Sequence, residues 1–585
     1  MTAPAPDAVE ALGRWRLRPD IAATALKEGL HLRGWTTSVT LEGSPALPKL
    51  WQLVEEALLT DGAGSLAALA PAGSPLRSAL CTLIGQLHAH GLLVEHEHTA
   101  ALPDALEDPA GRWLRTVADR PAEAARALRS AAVRVSGAEP EGALARAAVR
   151  ALERSGVPSS PGSDDGPAEG ILLTGTDPAG RVRAVAAVIR DGGGFVTPVG
   201  SPDRARADAA SLAARLRRRP AGGTEADAVS PAVVSLVAGA SAQRLLCALA
   251  GLPDPSVEGG DDRPAVLVAD GRPLRARYHP WLGPAGPEAP APPATLAEAL
   301  SGVAALGDER TGVLAAPEPG SLPQLPVALV RCAVPGGTLL AGAARADLAR
   351  LEALCRAAEL QLGPAGPGIV VGADPGHALG RALRRTTARA AAGTAVGPAA
   401  DTGWAEHPQA RHWWSVLTLR LGIRAELKVA RIAPGGPAFR ALVEASPVPG
   451  GPVRVIGRAV EATAADAAAF AAMAAVVRVQ AGAQQAGQAP GRRQLALPGG
   501  AVAPLATAGT ARAAWEDESW TAGWLADVAE REPALRSALL ETSGLHARPW
   551  EPGPGAAGTD RALWAALRGC GFAVLRTGHG DGGTP

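Results

Sequence analysis

The sequence predicts an α+β multidomain protein that opens with a winged-helix-like module. Three observations predict it. Strand-like alternation and helical apolar stripes both occur, and they mix along the chain without a fixed-period repeat. A Pro/Ala/Gly-rich stretch at residues 283–293 divides the chain. The length, 585 residues, leaves room for roughly three to five domains at about 100–200 residues each.

The N-terminal block carries the clearest pattern. Thr37, Ser38, Val39, Thr40 and Leu41 alternate, with Val39 and Leu41 on one face and Ser38 and Thr40 on the other. That is the signature of a half-buried strand. Gly43 ends it, and Ser44 with Pro45 forms an N-cap and first-turn pair. Leu47, Leu50, Trp51, Val54 and Leu58 then fall at helical spacing, and a short helix is expected over residues 65–69. Ser74 and Pro75 repeat the cap, and Leu76, Leu80, Leu83 and Leu87 make an apolar stripe. Gly91 stops that helix and residues 92–94 begin another strand. Strands, three helices and a short strand make the winged-helix-like module.

Residues 100–150 are Ala- and Arg-rich with helical periodicity, and residues 158–167 form a loop. Residues 171–173, 182–188 and 265–268 read as strands, and residues 232–249 as a helix. Further on, helices are expected at 346–360, 413–421, 464–480 and 561–567, and strands at 427–432, 453–456 and 573–575.

Composition narrows the function classes. Lys plus Arg and Asp plus Glu number 57 each, so the basic excess of a general nucleic-acid or anionic-membrane binder is absent. Residues 1–13 have no charged segment followed by an apolar one, which argues against a signal peptide. No apolar run of about 18 residues is free of Gly, Pro and charge. The five cysteines are scattered and odd in number, as in reduced cytosolic proteins. A cytoplasmic location is the resulting expectation.

Much catalytic chemistry is missing. The three lysines, Lys27, Lys49 and Lys428, follow Leu26, Pro48 and Leu427, so no Gly-Lys-Ser/Thr phosphate loop exists. There is no GxSxG, no HExxH and no CxxC. His96 and His98 are placed to share a metal on a strand, but with His88 and His90 they read more plainly as a solvated helix end and wing, and no metal is assigned. Glu406-His407 and Arg411-His412 read as a polar loop entering a helix. Glu352 and Glu359, two helical turns apart, could hold Mg²⁺ or line a solvated face.

Residues 29–43 (GLHLRGWTTSVTLEG), Leu50-Trp51 and residues 86–95 (QLHAHGLLVE) resemble the precursor-recognition element of Ocin-ThiF-like proteins. These are leader-peptide-binding partners in thiazole/oxazole-modified peptide biosynthesis, thiopeptides included. Residues 240–254 (ASAQRLLCALAGLPD) and 273–284 (PLRARYHPWLGP) look like the degenerate ThiF-like domain of that family. Residues 308–313, 324–327 and 345–360 resemble the opening of a YcaO domain, and residues 408–485 its later part. The active YcaO family has Glu clusters that hold Mg²⁺. Here the corresponding helix, expected at residues 459–480, has only Glu461 and Asp466 near its start, and the chain ends in GGTP where active members often have a PxPxP tail.

The resemblance implies three domains: a winged-helix-like leader-recognition module at 1–100, a degenerate ThiF-like α/β scaffold at 101–284, and a degenerate YcaO-like α+β domain at 295–585. It implies a non-catalytic subunit with no cofactor of its own, ATP and Mg²⁺ being expected on a partner YcaO-type cyclodehydratase. The partners implied are a ribosomal precursor peptide and that enzyme, with room for an azoline dehydrogenase and for a homodimer, and with neither nucleic acid nor membrane. In the family the leader adds a strand beside the third strand and packs on the third helix. Carried to this chain, the contacts come from Thr37, Ser38, Val39, Thr40 and Leu41, and from Arg77, Cys81, Ile84 and His88 on the helix side away from the leucine stripe. That Cys81 and Ile84 form a second core edge stays open. Two alternatives also stand: a fused, active cyclodehydratase using Glu352 and Glu359, and a winged-helix DNA-binding regulator.

Overall fold

The computed structural model describes residues 15–19, 21–34, 37–59, 68–95, 109–139, 141–162, 166–167, 169–190, 192–217, 229–256, 263–283, 290–363, 368–390, 403–446, 452–484, 492–509, 518–553 and 557–579. His96, His98, residues 65–67 of the expected short helix, residues 284–289 and the last four residues lie outside that set. The fold is mixed α+β. It forms two compact units, residues 1–214 with 220–278, and residues 215–219 with 279–585.

In the first unit, β2 (Ala22–Leu26), β3 (Gly29–Arg33) and β4 (Ser38–Glu42) form an antiparallel meander. β1 (Trp15–Leu17) pairs instead with β5 (Leu93–Glu95). Helices α1 (Leu47–Leu59) and α2 (Pro75–Ala89) stand between β4 and β5 in sequence. The Ser74 Oγ accepts from the Arg77 N–H at 3.2 Å, the cap that Ser-Pro predicts. Helix α1 starts at Leu47, two residues after Pro45, because the Ser44 Oγ is used in a turn, accepting from the Ala46 N–H at 3.2 Å. Gly43 and Gly91 both have positive φ, 115° and 65°, and end β4 and α2. Leu30, Leu32 and Val39 share one core with Trp51, Val54, Leu80, Leu83, Ile84 and Leu87.

The rest of this unit is built on a seven-stranded sheet, ordered β12-β11-β10-β9-β8-β6-β7. Its strands are β6 (Val133–Gly137), β7 (Ser159–Pro161), β8 (Gly170–Thr176), β9 (Val182–Arg190), β10 (Gly193–Val196), β11 (Ala265–Gly271) and β12 (Leu274–Pro280). β6 and β7 are parallel, whereas β6–β8, β8–β9, β9–β10 and β10–β11 are antiparallel. Helices α3 (Pro109–Val117), α4 (Pro121–Ser130), α5 (Ala143–Arg154) and α6 (Pro231–Leu249) supply the apolar cover. β6 interrupts a stretch that periodicity assigns to helix. Its buried Val133 and Val135 flank an exposed Arg134, a period of two hidden inside an Ala/Arg-rich background.

Among the described residues, the second unit holds three three-stranded sheets. β13 (Ala328–Val334) and β14 (Gly337–Ala343) join β19 (Arg492–Ala496). β15 (Ile369–Gly372) lies beside β21 (Ala573–His579), which also pairs with β20 (Leu545–Pro549). β16 (Ala425–Arg431), β17 (Phe439–Ala445) and β18 (Arg454–Glu461) form the third sheet. Four helices carry most of its buried charges: α7 (Ala346–Leu362), α8 (Pro375–Ala390), α9 (Ala464–Ala483) and α10 (Glu518–Ser543).

Two expectations shift here. Residues 459–461 complete β18, and α9 begins at Ala464 behind a Thr463 cap, so Glu461 sits on a strand end and not on the helix. Residues 416–420 wind as a π-helix after an α-helix over Pro408–Ser415, where one continuous helix is expected from 413. Helix α9 packs so close to β18 that a Cβ on Gly457 would lie 2.1 Å from the Ala471 carbonyl oxygen. By length and hydropathy, α6 and α9 would each suit a membrane, yet 56% and 83% of their apolar windows are buried inside the chain. They are core helices of their units.

One buried ion pair fixes the C-terminal end of α6. Arg244, 1% exposed, donates to both Asp254 carboxylate oxygens at 2.9 and 3.0 Å and to the Ala265 carbonyl at 2.6 Å. Its guanidinium also stacks 5.3 Å from the Tyr278 ring. Asp254→Ala strips a buried cation of its counter-charge and is expected to cost about 3–5 kcal/mol. Urea unfolding of the variant checks this. A loss below ~1 kcal/mol would mean that the carbonyls alone satisfy Arg244.

Candidate functional site

Two places gather the residues singled out by sequence. The first is strand β4. It pairs with β3 on one side and, among the described residues, with no strand on the other. Half of its N–H and C=O groups therefore face outward as an unfinished ladder. The side chains alternate as predicted: Val39 is buried and Leu41 half-buried, while Ser38 and Thr40 are exposed. On the outer face, His31 Nδ1 lies 2.9 Å from Thr40 Oγ1, and Ser38 Oγ lies 3.3 Å from His31 Nε2. This bracket stiffens β3 and β4 while leaving the outer backbone edge free. Thr37 is half-buried just before the strand, and its carbonyl accepts from the Gly34 N–H at 2.8 Å.

The four helix residues divide. Ile84 is 2% exposed and Arg77 6%, so neither lies on a partly open face. Ile84 packs into the same core as Leu80, Leu83 and Leu87, together with Trp51 and Val54 of α1 and with Leu30, Leu32 and Val39. The Arg77 guanidinium is turned inward to the Ala70 carbonyl at 3.0 Å, which ties the preceding turn to α2. Cys81 is half-buried and His88 exposed. His88 meets Trp15 in a tilted ring contact, centroids 4.3 Å apart and planes at 54°, linking α2 to β1.

The second place is the buried charge network of the second unit. Glu352 and Glu359 do share one face of α7, and both are occupied by arginine. Arg381 on α8 donates to Glu352 at 2.5 and 3.1 Å and also to Glu359. Glu359 further accepts from Arg356 at 3.0 Å, Arg385 at 2.8 Å and the Val371 N–H at 3.2 Å. Burial pushes the Glu359 carboxyl up, but Arg381, Arg385 and Arg356 together outweigh it and hold it at about 2. A second knot sits beside the first. Arg384 bridges Glu461, at 2.6 and 2.9 Å, and Glu532 on α10, at 2.6 and 3.0 Å. Burial pushes the Glu461 carboxyl up even against Arg384.

This arrangement does not fit Mg²⁺. A hard cation needs free carboxylate oxygens, and here guanidinium groups already take them. Among the described residues no group of three or more His, Cys, Asp or Glu could hold a metal ion. Arg381, Arg384 and Arg385 were not singled out from the sequence, because the run RALRR matches no motif. The available signal was their spacing, which stacks cations on one side of a helix opposite the acidic face of α7.

No family model matches the chain, and no curated protein matches it. Among solved structures, it is similar to a heterocyclase in complex with substrate and cofactor at 13% identity and a TM-score of 0.42, over 96% of this chain and 94% of that one. The heterocyclase TruD aligns at 12% identity and a TM-score of 0.38 over the same shares. E. coli MccB with AMPCPP and selenomethionine MccA aligns at 8% identity and a TM-score of 0.31, over 46% of this chain and 96% of that one. At identities and TM-scores this low, the likenesses decide neither family nor function.

The Glu359 geometry sets a pH dependence. Its folded pKa of about 2 lies below the ordinary 4.5, so its stabilisation is complete above 4.5 and lost as pH falls towards 2. Glu359→Gln leaves three arginines short of a counter-charge and is expected to cost about 3–5 kcal/mol at neutral pH. Its unfolding midpoint in urea should also vary less between pH 4.5 and 2 than that of the wild type. Parallel pH profiles for the two proteins would show that Glu359 titrates normally.

Proposed function

We propose that the chain is a non-catalytic, peptide-binding subunit. In this reading it captures the leader of a ribosomally made precursor on its winged-helix-like N-terminal module. It then presents that precursor to a YcaO-type cyclodehydratase, which forms azolines from Cys, Ser or Thr in thiopeptide-like biosynthesis. ATP and Mg²⁺ belong to that partner.

One observation carries the proposal: the unpaired outer edge of β4, stiffened by the His31 bracket. An extended peptide completes such a ladder with main-chain hydrogen bonds and gains specificity from alternate side chains. The resemblance of residues 29–43 and 86–95 to a precursor-recognition element agrees with it. On α2, the proposal now rests on Cys81 and His88 alone, since Arg77 and Ile84 are buried.

The competing readings lose ground on specific residues. A fused active cyclodehydratase needs carboxylates free for Mg²⁺, whereas Glu352, Glu359 and Glu461 are bound to arginine. A DNA-binding helix needs exposed cations to neutralise phosphates. The one arginine of α2, Arg77, is 6% exposed.

The test uses the full chain and a synthetic, fluorescein-labelled leader peptide of a thiopeptide-type precursor, read by anisotropy. Single backbone N-methyl groups are then walked along the leader. Strand addition predicts that every second position weakens binding at least about tenfold, because only alternate N–H groups face β4. Amide exchange should slow at residues 38–42 when the leader is bound. Loss at consecutive positions, or no binding, would sink the reading.

A further inference from the structure

The edge strand leads into a cavity. Within the first unit, a cavity of about 1310 Å³ begins at Thr37 and Ser38, the start of β4, and at Arg33, the end of β3. Across from them it is lined by Trp113 on α3, Gln243 on α6 and Tyr278 on β12. Its size exceeds the roughly 300–1,000 Å³ usual for small-molecule and cofactor pockets. The cavity has no lysine in its lining, and the chain has no phosphate loop to seat a nucleotide.

The walls are built. On one side Arg18 donates to the carbonyls of Gly91 at 2.7 Å, Ala118 at 3.0 Å and Thr116 at 3.2 Å, and it pairs with Asp119. That clamp joins the end of α2 to the end of α3. A second wall is the loop after β8. There the buried Asp177 accepts from the Ala179 and Arg181 N–H groups at 3.0 and 2.9 Å, and from both the Arg181 and Arg183 side chains. The third wall is the loop held by Arg244 and Asp254. A lining tied at three places is pre-organised, so ordering it around an occupant costs little.

The lining has one free charge to offer. Arg33 is exposed and makes no side-chain ion pair among the described residues. Gln243 is exposed beside the apolar surface of Trp113. These features fit an extended chain with a carboxylate near Arg33 and neutral side chains beyond it.

Direction comes from the sheet. β2, β3 and β4 are all antiparallel, so an added strand continues that pattern and runs opposite to β4. Such a strand travels from Glu42 towards Ser38 and leaves β4 beside Thr37 and Ser38, which line the cavity. We propose that the cavity receives the segment of the precursor peptide that follows the β4-bound stretch, and that Arg33 selects an acidic side chain in it. This rests on the proposed peptide-binding function and adds a second recognition region to it.

The experiment compares two labelled peptides from the same precursor on the full chain. One is the shortest leader segment that binds, and the other is that segment extended by its next several residues. We expect the extension to tighten binding at least about tenfold. Arg33→Glu and Gln243→Trp should remove that gain and leave the short peptide unchanged, since both side chains are exposed and hold no element in place. Replacing the acidic residue of the extension with lysine should restore the gain in Arg33→Glu. Equal affinities for the two peptides, or a gain untouched by both variants, would overturn the cavity assignment while strand binding stands. No binding of either peptide would overturn both.

Discussion

Guanidinium groups cut off from water tie together elements far apart in this chain. Only three of its 57 basic residues are lysine. Arginine has a planar fork of donors that can satisfy several acceptors at once, which a lysine ammonium cannot do in fixed geometry. Arg384 uses that fork to join α8, the end of β18 and α10. Arg381 joins α8 to α7, and Arg244 joins α6 to the loop after it. The gain over apolar side chains of equal volume is small. The consequence is geometric, because each fork accepts only one arrangement of its carboxylates and carbonyls.

That constraint separates the two candidate sites by chemistry. In the second unit, acidic residues that could have met a metal face cations from the neighbouring helix. Glu359 accepts from three arginines and a backbone N–H and has no oxygen left to offer. In the first unit, β4 ends its sheet, and its outward-facing backbone groups form, among the described residues, an unpaired ladder. A peptide strand can complete such a ladder with little rearrangement.

The N-terminal module was the most legible part of the sequence, for local reasons. The alternation of residues 37–41 and the Ser74-Pro75 cap are short-range signals, and both appear within a residue of where they were expected. Burial on α2 was less legible. The leucine stripe marks one buried side, but Ile84 and Arg77 are enclosed as well, by partners on other elements. A helical wheel shows the face of one helix and not the number of neighbours around it. β6 was missed because two valines cannot outweigh the alanines and arginines around them in a periodicity count. The arginines of α8 were missed because exposed and buried cations look alike in sequence.

By itself, the sequence determined what depends on residue type and short spacing: an α+β chain, no Gly-Lys-Ser/Thr phosphate loop, no CxxC pair, and a strand around residues 37–41 with one apolar face, one residue short of the Ser38–Glu42 strand seen. Tertiary structure decided what depends on neighbours distant in the chain. It left β4 at a sheet edge, turned Arg77 inward, and brought Arg384 to Glu461 and Glu532, 77 and 148 residues away. It also opened a cavity at the point where β4 begins. The reason is physical: propensity and periodicity act over a few residues, whereas burial, ion pairing and open edges are properties of the packed assembly.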